Sequence, residues 1–106
     1  MCGICGLVGE SKDAAGSVSR MMSAIEHRGP DDEGYYIENR IGLGHRRLSI
    51  IDLSKNGHQP MLSADGKLAI IYNGELYNFK TLKLELQRAL AGDTKAQSYP
   101  FRTQTD

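Results

Sequence analysis

The sequence has no long hydrophobic run. Its longest uninterrupted apolar stretch is Leu68–Tyr72, far shorter than the about 20 residues that a transmembrane helix requires. The apolar N-terminus is also brief, because Glu10 and Lys12 interrupt it, and this is not the pattern of a secretory signal peptide. We therefore expect a cytoplasmic protein without a membrane partner.

An excess of charge of one sign is also lacking. The chain contains 13 Lys and Arg and 13 Asp and Glu, for a formal net charge of zero. Domains that bind nucleic acids or anionic membranes usually carry a basic excess, so we expect neither kind of partner. Cysteine is scarce as well, with two residues, which in the absence of a secretory pattern favours a reducing compartment.

What is present is ordinary for a small globular domain. Hydrophobic residues make up 40% of the chain and charged residues 25%, a composition that argues against disorder. A length of 106 residues suits one small domain and is too short for two. The 12 glycines are scattered along the chain, which indicates many tight turns and close backbone approaches.

The spacing of apolar residues predicts two helices. The first covers Asp13–Glu26 and places on one face the apolar residues Val18, Met21, Met22 and Ile25. The second follows a potential N-cap at Asn78 and places on one face Phe79, Leu82, Leu86 and Leu90. Between and around them we expect short strands at Ile4–Val8, Tyr35–Glu38, Ile41–Leu43, Leu48–Ile51, Lys67–Tyr72 and Tyr99–Thr103. Strands grouped between two helices predict an antiparallel α+β layered fold.

Met1-Cys2 is the most informative dipeptide of the sequence. A small residue after the initiator methionine usually permits removal of that methionine, which would leave Cys2 as the free N-terminus. Its thiol would then lie beside an α-amine with a pKa of about 7.7–8.0, able to accept a proton at neutral pH. This is the N-terminal form of an activated nucleophile. Attack on an amide carbonyl also needs hydrogen-bond donors, which Asn73-Gly74 can supply where it leaves a strand.

Other interpretations of these residues stay open at this level. Cys2 and Cys5 form a C-x₂-C pair, which can be a redox pair or half of a zinc site, although Cys5 also suits a small buried position. The histidines at positions 27, 45 and 58 can serve helix ends or loop backbone. Arg46-Arg47 can be a solvated surface pair, and the run Asp31-Asp32-Glu33 can be a carboxylate metal cluster or a solvated turn.

Five segments, taken together in their order, carry a family resemblance. They are Met1-Cys2-Gly3-Ile4, His27-Arg28-Gly29-Pro30-Asp31, Gly44-His45-Arg46-Arg47-Leu48-Ser49-Ile50-Ile51-Asp52, Gly57-His58-Gln59-Pro60-Met61 and Tyr72-Asn73-Gly74-Glu75-Leu76-Tyr77-Asn78. The series resembles the start of the class II glutamine amidotransferase domain, in the branch of the glutamine-hydrolysing asparagine synthetases. The resemblance covers residues 1–106.

The resemblance implies a fold and a mechanism. The fold is an N-terminal-nucleophile hydrolase αββα sandwich, of which this chain would hold about the first half. In the implied mechanism Cys2 attacks the side-chain amide of glutamine, its own amine moves the proton, and Asn73 with the Gly74 N–H forms the oxyanion hole. A γ-glutamyl thioester forms as ammonia leaves, and water then releases glutamate.

The resemblance also implies how glutamine is bound. Arg47 would pair with the α-carboxylate of glutamine through its planar guanidinium, and the backbone of Leu48, Ser49, Ile50 and Ile51 would line the pocket. Glu75 and Asp106 would hold the ammonium group. Arg28 and Asp31, near the site, are assigned structural roles.

The family domain is about twice as long as this chain and is normally followed by an ATP-using synthetase domain. We therefore expect no cofactor for the glutaminase portion, and ATP and magnesium only in the absent synthetase domain, which would accept the ammonia. The alternative is a truncated, non-catalytic remnant or regulatory fragment that keeps the glutamine pocket. Because half of a sandwich would expose the inner face of its sheet, we also expect self-association through that face.

Overall fold

The computed structural model describes residues 1–50 and 53–91. Seven elements follow one another along this part of the chain: β1 (Gly3–Val8), α1 (Ala14–Ala24), β2 (Asp32–Glu38), β3 (Ile41–Arg47), β4 (Met61–Leu62), β5 (Ala69–Ile70) and α2 (Phe79–Leu90). Single turns of 3₁₀ helix cover Glu26–Arg28 and Lys55–Gly57. The class is α+β, as predicted. The strand expected at Tyr99–Thr103 lies outside the described residues.

A three-stranded antiparallel sheet organises the N-terminal half, in the order β1-β3-β2. Its register pairs Gly3 with Arg46 across β1 and β3, and Asp32 with Arg47 across β2 and β3. The predicted strands at Tyr35–Glu38 and Ile41–Leu43 are confirmed, and both are longer than predicted. β3 is the central strand, so its side chains decide what both faces of the sheet can do.

Helix α1 packs on one face of this sheet. Its N-cap is Asp13, whose Oδ1 accepts a hydrogen bond from Gly16 N at 2.9 Å. Val18 and Met22 are its buried residues, and they form the hydrophobic core of the described chain. They pack against two glycines of β3. A Cβ added at Gly42 would be 2.7 Å from Val18 Cγ2, and one added at Gly44 would be 2.7 Å from Met22 Cγ, so neither position has room for a side chain. Glycine on β3 thus lets the helix approach the sheet closely.

The adjacent residues Arg46 and Arg47 point to opposite faces of β3, as successive strand residues do. Arg46 lies on the helix side, with its guanidinium 3.2 Å from the Glu26 carboxylate and in contact with Glu33. Arg47 lies on the other side. Both are buried, so the interpretation of this dipeptide as a solvated surface pair is wrong.

The second half of the described chain is less regular. Strands β4 and β5 form a two-stranded hairpin whose turn contains Gly66 at φ +70°, where glycine avoids the strain of an L side chain. The strand predicted at Lys67–Tyr72 is restricted to Ala69–Ile70, and residues 48–50 of the strand predicted at Leu48–Ile51 are irregular. Helix α2 is confirmed at its predicted start, and it has no buried residue.

The face of the sheet opposite α1 exposes apolar side chains. Ile4, Val8 and Ile41 lie there and are 47%, 84% and 43% exposed. Self-association through this face stays a prediction, as does the four-layer sandwich. None of the described helices is long and apolar enough to cross a bilayer.

Candidate active site

A cavity of about 510 Å³ opens on the face of the sheet away from α1. It is lined by Met1, Cys2, His45, Arg47, Leu48, Ile50, Gly57, Gln59, Tyr72, Asn73, Gly74, Glu75 and Tyr77. The predicted site residues among them are Cys2, Arg47, Leu48, Ile50, Asn73, Gly74 and Glu75. Ser49 does not line the cavity. Ile51 and Asp106 lie outside the described residues.

Cys2 lies directly before β1, where the sheet register places it beside the end of β3. Its Sγ is 3.3 Å from Leu48 N and 3.7 Å from Leu48 O. The thiol can therefore donate to the Leu48 carbonyl, and the thiolate can accept from the Leu48 N–H. Arg28 fixes the backbone on the other side, since its Nε donates to Cys2 O at 3.3 Å. The cysteine thus has a defined position at the cavity wall.

The loop after α1 supports the same corner of the site. Asp31 Oδ2 accepts from Ser49 N at 2.8 Å, and Asp31 N donates to Arg47 O at 3.0 Å. Gly29 permits this approach, because a Cβ there would be 2.4 Å from the Arg46 carbonyl atoms. These contacts hold the backbone on either side of Leu48, the residue that meets the Cys2 sulfur.

Arg47 reaches the cavity from β3 and is buried. Its Nη1 donates to Ser54 O at 2.7 Å, and its guanidinium lies over Gly57, where a Cβ would be 2.2 Å from Nη2. A buried, oriented guanidinium suits bidentate recognition of a carboxylate.

His45 is the most deeply buried polar residue that lines the cavity, at 1% exposure. Burial lowers the pKa of its imidazole, while a hydrogen bond with the Tyr72 backbone and the nearby Asp32 carboxylate act in the opposite direction. The net direction is downward, which favours the neutral ring at neutral pH. Its Nε2 has no hydrogen-bond partner among the described residues.

The side chains of His58 and Gln59, which follow the 3₁₀ turn Lys55–Gly57, connect this segment to the sheet and to Tyr72. His58 Nδ1 is 2.7 Å from Asp32 Oδ2, and Gln59 Oε1 accepts from Tyr72 N at 2.6 Å. Asn73, Gly74 and Glu75 follow immediately and border the cavity. Cysteine, arginine and an Asn-Gly-Glu segment therefore surround one space.

Comparison with known families matches residues 1–106 to the glutamine amidotransferase domain. The chain belongs to this family.

The amidotransferase domain is 44% identical, over 81% of its length, to a glutamine-hydrolysing asparagine synthetase 2 of Bacillus subtilis (strain 168), of which it covers 12%. It is 45% identical, over 78% of its length, to a putative asparagine synthetase of Methanocaldococcus jannaschii, covering 20% of that protein. A glutamine-hydrolysing asparagine synthetase 1 of B. subtilis is 39% identical over the whole chain, which covers 16% of it. The resemblance drawn from the five segments is confirmed, and the chain spans about 12–20% of the length of these relatives.

The geometry of the amidotransferase domain argues against a shared site for its two cysteines. Cys2 Sγ faces the cavity at Leu48, whereas Cys5 Sγ lies on the helix side, close to Gly44. Burial raises the pKa of the Cys5 thiol, which favours an inert residue. In the described part of the chain no group of three or more His, Cys, Asp or Glu side chains could hold a metal ion.

The acidic run Asp31-Asp32-Glu33 is likewise divided among separate partners. The three carboxylates contact Ser49 N, His58 and Arg46, respectively. They stabilise three different parts of the amidotransferase domain and do not converge on one point.

Sequence reasoning missed several residues of the cavity wall, chiefly His45, Gly57, Gln59 and Tyr72. A role in loop backbone is one expectation for His45, whereas the structure places it in β3 with its side chain buried in the cavity wall, and no local signal reveals that burial. The segment Gly57-His58-Gln59 serves only to recognise the family. Its position beside both Arg47 and Tyr72 depends on contacts between residues far apart in sequence.

Under the expectation that Arg47 takes the α-carboxylate of glutamine, Gly57→Ala should weaken glutamine binding. The new methyl group would overlap the Arg47 guanidinium, and the long side chain can yield only by moving from its present position. We expect the KM for L-glutamine to rise about tenfold, the equivalent of about 1.4 kcal/mol, with little change in the midpoint of urea unfolding. Steady-state kinetics and urea titration measure the two effects.

Gly66→Ala is the matched control for Gly57→Ala. It adds the same methyl group in the β4–β5 turn, where the described residues beyond its chain neighbours place no atom within 4 Å of the new carbon. The positive φ makes the change costly all the same. It should lower stability and leave KM unchanged. Equal KM values for wild type and Gly57→Ala would contradict the assignment of Arg47 to the substrate.

Proposed function

We propose that these residues hydrolyse the side-chain amide of L-glutamine through a thioester at Cys2, giving glutamate and ammonia. The observation that carries the proposal is that a sulfur nucleophile, a buried arginine and the Asn73-Gly74-Glu75 segment border the same cavity. Family membership supports it. The charges suit a free amino acid, since Arg47 can take the α-carboxylate and Glu75, with Asp106 in this proposal, the ammonium group.

In the acylation step the Cys2 sulfur forms a bond to the amide carbon, and the carbonyl π electrons move to oxygen. The Asn73 side-chain amide and the Gly74 N–H donate hydrogen bonds to that oxyanion. After removal of Met1, the α-amine of Cys2 takes the thiol proton and passes it to the leaving nitrogen. The C–N bond breaks, ammonia leaves, and the γ-glutamyl thioester remains.

In the deacylation step water attacks the thioester carbon and gives its proton to the same α-amine. The C–S bond breaks, the sulfur regains a proton, and glutamate is released. The Leu48 N–H, 3.3 Å from the sulfur, stabilises the thiolate at the moment when it attacks and when it leaves. Met1 must be removed for this cycle, because in a Met1-Cys2 peptide bond the nitrogen of Cys2 is an amide and cannot act as a base.

We propose further that the ammonia serves an amidotransfer such as ATP-dependent synthesis of asparagine from aspartate. The names of the relatives support this acceptor. In this proposal the steps at Cys2 draw on the chain's own groups, and ATP with magnesium belongs to a synthetase domain or subunit that accepts the ammonia. The compartment we propose is the cytoplasm.

The test is the intact mass of the purified chain before and after treatment with a diazoketone analogue of glutamine. We expect a chain without Met1 that gains one adduct, mapped to Cys2 by peptide sequencing, and protection by excess L-glutamine. Retention of Met1, or a free Cys2 that does not react, would contradict catalysis and favour the non-catalytic fragment that keeps the pocket. Membership of the family would be unaffected by that result.

A further inference from the structure

Residues 54–59, here called the strap, run across the cavity side of the sheet. Ser54 O accepts from Arg47 at one end of the strap. His58 pairs with Asp32 of β2 at the other end. The strap lies directly on the strand there, because a Cβ at Gly34 would be 2.1 Å from Gln59 O. The backbone of Gln59 is therefore fixed on the sheet while its side chain extends toward Tyr72.

The contact of Gln59 with Tyr72 replaces a missing strand hydrogen bond. Strand β5 ends at Ile70, so the N–H of Tyr72 has no partner in a strand among the described residues, and in its partly buried position an N–H without a partner would be unfavourable. Gln59 Oε1 accepts from it at 2.6 Å. The Tyr72 N–H is thus held from the strap.

The residue after Tyr72 is Asn73, the first of the two donors assigned to the oxyanion. The Tyr72 N–H belongs to the Ile71–Tyr72 peptide and the Asn73 backbone follows one peptide unit later, so fixing Tyr72 restricts where Asn73 and Gly74 can lie. Oxyanion donors act only when they are placed to within about 0.5 Å, and a displacement of about 1 Å can cost about 10²-fold in rate. An irregular segment needs such support more than a strand does.

We infer that Gln59 is a positioning residue for oxyanion stabilisation, in which its side-chain carbonyl fixes the Tyr72 peptide and thereby the Asn73-Gly74 donors. The inference rests on the proposed function and extends it. The strap then supports both ends of the substrate, since Ser54 and Gly57 contact the arginine assigned to the carboxylate and Gln59 orients the groups assigned to the reacting amide.

Gln59→Met and Gln59→Glu test this inference. Methionine has a similar length and cannot accept the Tyr72 N–H, whereas glutamate keeps an oxygen in the same place. In Gln59→Met we expect kcat for L-glutamine to fall about 10–100-fold with KM within about threefold of wild type, and the Tyr72 amide to exchange faster in deuterated water. Gln59→Glu should restore most of kcat and the slow exchange.

Two controls separate positioning from a general loss of structure. Alkylation of Cys2 by iodoacetamide forms no oxyanion, so its rate should be equal in wild type and Gln59→Met, and the unfolding midpoint should change little. A wild-type kcat in Gln59→Met, or an equal loss in Gln59→Glu, would overturn the inference. A wild-type chain that does not hydrolyse glutamine would instead contradict the proposed function. In that case hydrogen exchange of the Tyr72 amide would still test the contact with Gln59. An exchange rate in Gln59→Met equal to that of wild type would overturn the inference.

Discussion

In Cys2→Ala the rate of L-glutamine hydrolysis should fall by at least about 10⁴-fold, because removal of a covalent nucleophile has an effect of this size. Under the proposed function the remaining cavity would still bind glutamine through Arg47 and the Asn73-Gly74 segment, but no group at this position could form the thioester. Glutamate release measures the rate. The variant should also gain no mass from the diazoketone analogue, and its stability should change by less than about 1 kcal/mol, because the Cys2 side chain is only partly buried.

Cys5→Ala, a substitution in the adjacent strand β1, is the control for Cys2→Ala. It removes the other cysteine of the chain, whose sulfur lies on the helix side of the sheet near Gly44. We expect full glutamine hydrolysis and one adduct, with a modest loss of stability from the packing defect beside Met22. Substantial hydrolysis by Cys2→Ala, or loss of the adduct in Cys5→Ala, would contradict the role given to Cys2.

Arg47→Gln should raise the KM for L-glutamine by about 10²–10³-fold with a smaller effect on kcat. The reason is that the α-carboxylate would enter a nearly buried pocket without its cation, and loss of one partner of a buried charge pair costs about 2–5 kcal/mol. Arg47→Lys should recover only part of this, because an ammonium lacks the planar, bidentate geometry. Initial rates over a wide range of glutamine concentration measure both parameters.

Arg46→Gln provides a matched neighbour for this experiment. Its side chain is equally buried but lies on the helix side with Glu26 and Glu33. We expect it to lose about 1–3 kcal/mol in the free energy of unfolding, because two carboxylates lose their cation, while KM stays within about threefold of wild type. If the two substitutions raised KM equally, Arg47 would have no specific part in binding.

Local patterns are sufficient to predict the regular elements of the first half of the chain. Asp13 followed by the spacing of Val18 and Met22 predicts α1, because a capping carboxylate and an apolar stripe act within a few residues. The same holds for β1, whose short apolar run is flanked by glycines. In the second half the strand expected at Lys67–Tyr72 is mostly unpaired, since strand formation depends on a partner and β4 offers only Met61–Leu62.

For the site, the sequence alone identifies candidates but not their surroundings. Chemistry and family resemblance single out Cys2 and Asn73, and these two residues do border one cavity. The burial of Arg47 cannot be deduced, because charge and spacing do not tell which face of β3 is covered. The support by Gln59 joins residues 13 positions apart through one hydrogen bond, and no periodicity marks such a contact.

The glycines of β3 have a consequence for how the strand is aligned. Gly42 and Gly44 alternate with Leu43 and His45, and at the positions of the two glycines the face against α1 has no room for a larger side chain. A slip of β3 by one residue relative to its neighbours would turn Leu43, His45 and Arg47 toward Val18 and Met22 and would bring Arg46 to the cavity. That alignment is blocked by overlap with the helix. The spacing of two glycines therefore selects which of two adjacent arginines faces the cavity, and under the proposed function accurate strand pairing during folding becomes a condition for recognition of glutamine.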